Sequence, residues 1–493
     1  MNRKKKFKLN TISSIVYQLV SIVAGFVLPR FFLVYYGSDV NGLISSITQF
    51  LAIISLCECG VGAVVQAALY KPIAENDESE ISRIYVSAKK FFNRIVMILL
   101  IYIAGLVIAF PFITDGKFDF VYTTGLIIAM SINLLSQYYF GIVNKLILNA
   151  AQLVYVQMTL GIITIVLNVV ISVALMYCGF SVQIVKFASS LIFLIQPVCY
   201  TVYVRKTFKI DKKIHYSGEP IKQKWNGFAQ HVATVVLENT DVLVLTVCST
   251  LSNVSIYSVY HLVTNGLKLA FVSSTTGFKS LLGDMYAKGE SKLLDSTFGK
   301  FEWLTHMGSV YVFTVASILI VPFVEVYTKN VHDADYLRPL FGQLMCLAMF
   351  IYVIRQPYNY MIASAGKFKE TQTSAFIETL INLVISFAFV YKWGLIGVAV
   401  GTAAAMTYRT IYFVYYMRND VLHREVGSFW KLVVFDVIIA ILIKMASGQF
   451  VMTSATALGW TILAAKVSFV GLIILVIMNL LFYRKEMLSV IRR

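Results

Sequence analysis

LNTISSIVYQLVSIVAGFVLPRFFLVYY, from Leu9 to Tyr36, contains a single charged residue, Arg30. An α-helix needs about 20 predominantly apolar residues to cross ~30 Å of hydrocarbon, so this run is long enough to span a bilayer. No small-residue cleavage site follows it and its apolar stretch exceeds that of a secretory signal, so it reads as a first membrane span. Similar runs recur along the 493 residues, of which 58% are hydrophobic and 14% charged, with a mean hydropathy of +0.75. Soluble domains carry roughly 25% charged residues. Lipid is therefore the main solvent, and the backbone must satisfy its hydrogen bonds within each segment. The ~10-residue alternation of a membrane β-barrel is missing, which leaves an all-α integral membrane protein.

Apolar runs bounded by charges and turn residues predict about 14 transmembrane helices. Six precede a basic break, Arg205 to Lys224, that contains Gly218 and Pro220; eight follow it. The expected organisation is an N-terminal six-helix lobe (1–204), a basic cytoplasmic linker (205–225), a C-terminal six-helix lobe (226–417) and two additional helices (418–493). The net charge of +17 is spread over short loops. With both termini inside, cytoplasmic segments carry about 29 basic residues and outer loops about four: Lys117, Lys329, Arg338 and Lys392. That asymmetry is a topology signal and argues against a nucleic-acid partner. The six cysteines match no zinc or redox spacing and read as apolar filler.

At an offset near 213 residues the two halves show short matches. Leu167-Asn-Val-Val-Ile-Ser172 falls on Ile381-Asn-Leu-Val-Ile-Ser386, Ser38-Asp-Val-Asn41 on Ser252-Asn-Val-Ser255, and Tyr200-Thr-Val-Tyr203 on Tyr412-Phe-Val-Tyr415. A duplicated even number of spans gives two pseudo-symmetric bundles with like orientation around a central cavity. Polar stripes mark the helices expected to line it. In the second span these are Thr48, Ser55, Glu58 and Gln66; in the seventh, Gln230, His231, Thr234, Glu238 and Asp241; in the eighth, Tyr257, His261, Asn265 and Lys268.

Ionisable groups in mid-membrane cost several kcal/mol unless paired or wet, which makes them functional candidates. Lys268, Arg355 and Arg409 are the deep cations; Arg30, Lys145 and Lys186 lie nearer span ends, where they can snorkel to the interface. Glu58, Glu238, Asp241, Glu378 and Asp436 are the anions, each a site for a coupling ion or one half of an internal ion pair. Pro29 and Pro357 are expected to bend the first and tenth spans, and Gly394, Gly397 and Gly401 to form a close-packing stripe. The segment Pro72 to Lys90 is expected to lie on the surface.

Two stretches carry a family resemblance. Leu28-Pro-Arg-Phe-Phe-Leu-Val-Tyr-Tyr-Gly37 with Gly42-Leu43, and Cys59-Gly-Val-Gly62 with Leu69-Tyr-Lys-Pro-Ile-Ala-Glu-Asn76, resemble the polysaccharide (O-antigen and capsule repeat-unit) flippases of the multidrug/oligosaccharidyl-lipid/polysaccharide (MOP) exporter superfamily. The resemblance implies a non-enzymatic flippase in a bacterial plasma membrane. It would move undecaprenyl-diphosphate-linked oligosaccharide from the cytoplasmic to the outer face by alternating access, for surface polysaccharide biosynthesis. Lys268, Arg355, Arg409, Arg30, Lys145, His261 and Asn265 would then bind the diphosphate or line its path. Glu58, Glu238 or Asp241 would hold a coupling ion, H+ or Na+, with no other cofactor. Membrane lipids and other polysaccharide-assembly proteins are the expected partners. A lipid II flippase and a cation-coupled multidrug exporter of the same superfamily are the alternatives. The first would carry an arginine cluster on spans one and two, the second a carboxylate on the first span, and this chain has neither. A loop-borne enzyme site is disfavoured by the short outer loops.

Overall fold

The computed structural model describes residues 3–58, 61–114, 116–214 and 228–491. The described residues are helical nearly throughout, with no β-strand. Internal contacts divide the chain into two units, Met1–Asn239 and Thr240–Arg493.

Unit 1 begins with α1 (Arg3–Ala52), which carries Pro29 in its interior and departs from helical backbone at Gly37 (φ 80°, ψ 177°). That conformation is open to glycine and strained for any other residue, so the chain turns from its first crossing into its second without a loop. A 3-10 turn (Ile53–Glu58) and α2 (Val61–Glu75) complete the second crossing. Then come α3 (Glu78–Ile113), α4 (Phe120–Ser136), a π-turn (Gln137–Gly141), α5 (Ile142–Ala150), α6 (Val154–Tyr177), α7 (Val182–Phe193) and α8 (Ile195–Thr207). The chain passes from unit 1 to unit 2 within α9 (Phe228–Cys248).

Unit 2 continues with α10 (Leu251–Ala287), α11 (Ser291–Tyr327), α12 (Pro339–Ile354), α13 (Gln356–Ser364), α14 (Phe368–Trp393), α15 (Leu395–Asp420), α16 (Val426–Ser447), α17 (Ala457–Phe482) and α18 (Arg484–Ile491). The break between α12 and α13 falls at Arg355, two residues before Pro357, where a missing backbone N–H weakens the helix.

Among the described residues, ten helical stretches are long and apolar enough to cross a membrane. Gly37 divides the first of them, and α9, α10 and α15 fill the predicted seventh, eighth and twelfth spans with more polar faces, which accounts for fourteen crossings. One boundary differs from expectation. The charged segment before Lys90 is exposed over residues 74–79, as expected of a surface helix, but it runs on without a break into the span as the first turns of α3: Asp77 caps it by accepting from the Glu80 N–H at 2.9 Å, and Glu78 and Glu80 favour the positive end of the helix. Residues 215–227, which include 215–225 of the expected linker, and the Cys59-Gly60 part of the resemblance lie outside the described residues.

Candidate functional site

The candidates converge in unit 2 on the α14–α15 pair. Gly394 alone joins these helices, with φ 52° and ψ −124°. Beyond it, a Cβ on Gly397 would come within 2.6 Å of the Phe389 carbonyl, and one on Gly401 would collide with Ser386 Oγ. The expected small-residue stripe therefore brings the two backbones together.

Residues four apart on a helix share a face, and α14 presents Glu378, Asn382 and Ser386, all fully buried. Glu378 holds two guanidinium groups, one per oxygen. Arg355 Nη1 lies 2.5 Å from Oε1 and Arg409 Nη1 2.6 Å from Oε2. The Tyr352 ring extends the cluster, since Arg355 Cζ and Lys268 Nζ each lie 5.1 Å from its centroid. Two guanidinium groups thus meet one carboxylate, and Lys268 adjoins the cluster through the Tyr352 ring. Lys268 is half-buried and shares a helical face with Asn265 and His261, whose ring stacks on Tyr257 at 5.4 Å.

One turn further along α14, Asn382 reaches Asp241. This carboxylate is buried, accepts from Asn382 Nδ2 at 3.2 Å and from the Tyr257 hydroxyl at 2.9 Å, and has the Thr402 hydroxyl 2.9 and 2.8 Å from its two oxygens. All these partners are neutral. A buried carboxylate without a counter-charge is costly, so the position favours a cation or a proton. Asn382 Oδ1 and Ser386 Oγ have no hydrogen-bond partner, which adds uncommitted oxygen on the same face of α14. Hard oxygen donors of this kind suit small, non-transition cations.

A second polar network lies on α11 and α16, where His306 Nδ1 sits 2.5 Å from Asp436 Oδ2, both buried. Glu302 is buried nearby, accepts from the Tyr358 hydroxyl and meets Arg424 Nη1 at 3.1 Å. Sequence reading places Asp436 in the membrane but misses Glu302. The charges of residues 290–302 look like a loop, whereas α11 starts at Ser291 and carries Glu302 into the core. The signal that could have found it is the i, i+4 spacing of Glu302 and His306.

The unit 1 candidates named from the sequence do not converge in this way. Arg30 is exposed on α1 and Lys145 on α5, and Glu238 is exposed on α9. Glu58 accepts from the Tyr138 hydroxyl. The side chains of Gln230, His231 and Thr234 lie outside the described residues.

The fold resembles that of transporters of known structure. The inward-facing conformation of a multidrug resistance MATE family transporter of the MOP superfamily superposes with a TM-score of 0.57 at 14% identity, over 85% of this chain and 95% of that one. An outward-facing conformation of such a transporter gives 0.55 at 14% identity, over 86% and 98%. A MOP superfamily transporter from Pyrococcus furiosus, described as having a binding pocket of reverse polarity that suggests a different function, gives 0.51 at 14% identity over 85% and 95%. No protein-family model and no curated protein sequence matches. The chain therefore has the fold of multi-span MOP superfamily transporters.

Proposed function

We propose that this protein is a transporter of that superfamily which flips a polyprenyl-diphosphate-linked oligosaccharide from the cytoplasmic to the outer face of a bacterial plasma membrane by alternating access, with both termini cytoplasmic. The observation that carries the reading is the cationic cluster at Glu378: Arg355 and Arg409 both engage its carboxylate, and Lys268 shares the Tyr352 ring with Arg355. A diphosphate bears about two negative charges at neutral pH and is bound most strongly by guanidinium groups through charge-assisted hydrogen bonds. A cationic drug would meet like charge at the same place, which costs rather than gains energy. Glu378 holds both guanidinium groups by one nitrogen each, leaving their remaining donors for ligand. Asp241, with its neutral donors, is the residue we assign to a coupling cation, Na+ or H+. An inside-negative potential adds roughly 2.3 kcal/mol per charge per 100 mV to outward movement of the diphosphate.

Lys268→Gln is the test variant, because it removes a cation beside the cluster and leaves the bridges of Arg355 and Arg409 to Glu378 in place. The expected outcome in the native host is a severalfold accumulation of oligosaccharide-linked polyprenyl diphosphate, read by mass spectrometry of extracted lipids, with the protein present at wild-type abundance. An unchanged lipid profile after depletion of the whole protein would overturn the flippase reading and favour cation export; a rise in lipid II would move the substrate to cell-wall precursor.

A further inference from the structure

The basic residues of α3 do more than end a span. After Arg94 the helix carries no charge up to Ile113, so the change from charged to apolar falls between Arg94 and Met97, where the polar interface of a bilayer meets its hydrocarbon. At that level unit 1 contains a cleft of about 530 Å³ lined by Lys89, Lys90, Asn93, Arg94, Met97 and Lys212, together with Tyr85 and Val86. Four cations line it and no carboxylate does.

Ordinary interfacial snorkelling scatters basic side chains outward toward water. Here they converge from two segments more than a hundred residues apart. The chain after α8 is tied onto α3 by the Asp211 N–H donating to Ser82 Oγ at 3.0 Å, and this contact sets Lys212 against the α3 lysines. Asp211 does not neutralise the cleft at short range; its Oδ1 accepts from the Lys213 N–H at 2.8 Å. Partial burial holds the Lys212 amine below its ordinary pKa, and the nearby Arg205 and Lys89 add to the effect, as expected of cations crowded together without an anion. Asn93 Oδ1 is buried in the same wall without a hydrogen-bond partner. Below the cleft, Met97 and Ile101 are 62% and 73% exposed, an apolar strip continuous with the charged opening along α3.

We propose that this cleft binds the phosphoryl headgroup of an anionic membrane lipid, with its phosphate on Lys89, Lys90, Arg94 and Lys212 and its chains along Met97 and Ile101. The inference rests on the membrane placement of α3 and not on what the protein transports. Asn93 would accept a hydrogen bond from a headgroup hydroxyl, which favours a glycerol-bearing phospholipid.

The test is native mass spectrometry of the full-length protein released from vesicles of phosphatidylcholine alone, or with phosphatidylglycerol, or with undecaprenyl diphosphate. Wild type is expected to retain an anionic lipid, and the variant Lys89→Gln/Arg94→Gln/Lys212→Gln to retain it at least fivefold less. The single variant Lys212→Gln, altered on an exposed segment outside the helices, gives an intermediate loss and guards against misfolding of the triple variant. Selective retention of phosphatidylglycerol identifies a structural or regulatory lipid, and selective retention of undecaprenyl diphosphate an entry point for that lipid class. Retention equal in wild type and both variants overturns the site. Binding of inorganic pyrophosphate without retention of either lipid overturns its assignment to lipid. None of these readouts requires transport, so the proposal and the flippase reading can fail separately.

Discussion

The segment of α6 around Asn168 and its sequence counterpart on α14 around Asn382 began from the same pattern and finished with opposite electrostatics. In α6, Ser172 donates to Asn168 Oδ1 at 3.2 Å, and Gln196 donates to Thr164 at 2.5 Å; every group is buried or nearly so, neutral, and used locally. In α14 the place of Thr164 is taken by Glu378, which draws in two arginines, while Asn382 turns from its own helix to Asp241 and Thr402. The serine that satisfied its neighbour in α6 has no partner in α14. A helix whose polar groups are used up in neutral pairs, on itself or with its neighbour, is a strut. One whose polar groups are committed to charge and partly left open is suited to a site, and under the proposed function the two halves divide those tasks.

The contrast can be broken most forcefully at Glu378. Replacing it with alanine strands two buried guanidinium groups, and removal of one member of a buried ion pair typically costs about 3–5 kcal/mol; thermal unfolding in detergent is expected to show a loss of that order. Changing Arg355, Glu378 and Arg409 together to methionine is expected to recover most of it. Asp241→Asn tests the open end of the site. If Na+ is the coupling ion, saturating it at ~100 times its Kd raises wild-type stability by about 2.7 kcal/mol; the variant is expected to lose that shift, and Asn168→Ala in α6 to keep it. A Na+ shift that survives in Asp241→Asn would remove Asp241 from ion binding.

Smaller effects sharpen the picture. Gly401→Ala pushes a methyl into Ser386 and is expected to cost about 1–3 kcal/mol by forcing α14 and α15 apart. Gly125→Ala on α4, where the nearest neighbour is Gln183 at 3.5 Å, is expected to be neutral or stabilising by up to about 1 kcal/mol, since alanine is the better helix former. Last, Thr164→Val removes the neutral bonds that Thr164 gives to the Leu160 carbonyl and accepts from Gln196 and is expected to cost about 1–2 kcal/mol, less than Glu378→Ala in the equivalent place. Equal costs at these two positions would refute the division between strut and site.

The helical class and the crossings were legible because hydropathy and basic-loop asymmetry are one-dimensional signals. Lys268, Arg355, Arg409, Glu378 and Asp241 could be named for the same reason: a charge in an apolar run stands out. Their partnerships could not. Arg355 and Glu378 are separated by 23 positions and Asp241 and Thr402 by 161, and nothing local encodes which charge meets which. Glu302 was hidden because polar residues preceded it, so the start of the span was drawn too late. At Gly37 a single glycine conformation suffices to turn the chain, and helices continue on both sides of it.

Gly394 has a consequence for biogenesis. Because one residue joins α14 to α15, the two helices can leave the insertion machinery as a closed hairpin instead of in sequence. Presented singly, a charged residue at the centre of a membrane helix carries an apparent insertion cost of about 2.5–3.5 kcal/mol. Within the hairpin Glu378 and Arg409 are already face to face, so the bilayer receives a dipole where it would otherwise receive two ions. The tight link that makes the site compact also makes it insertable.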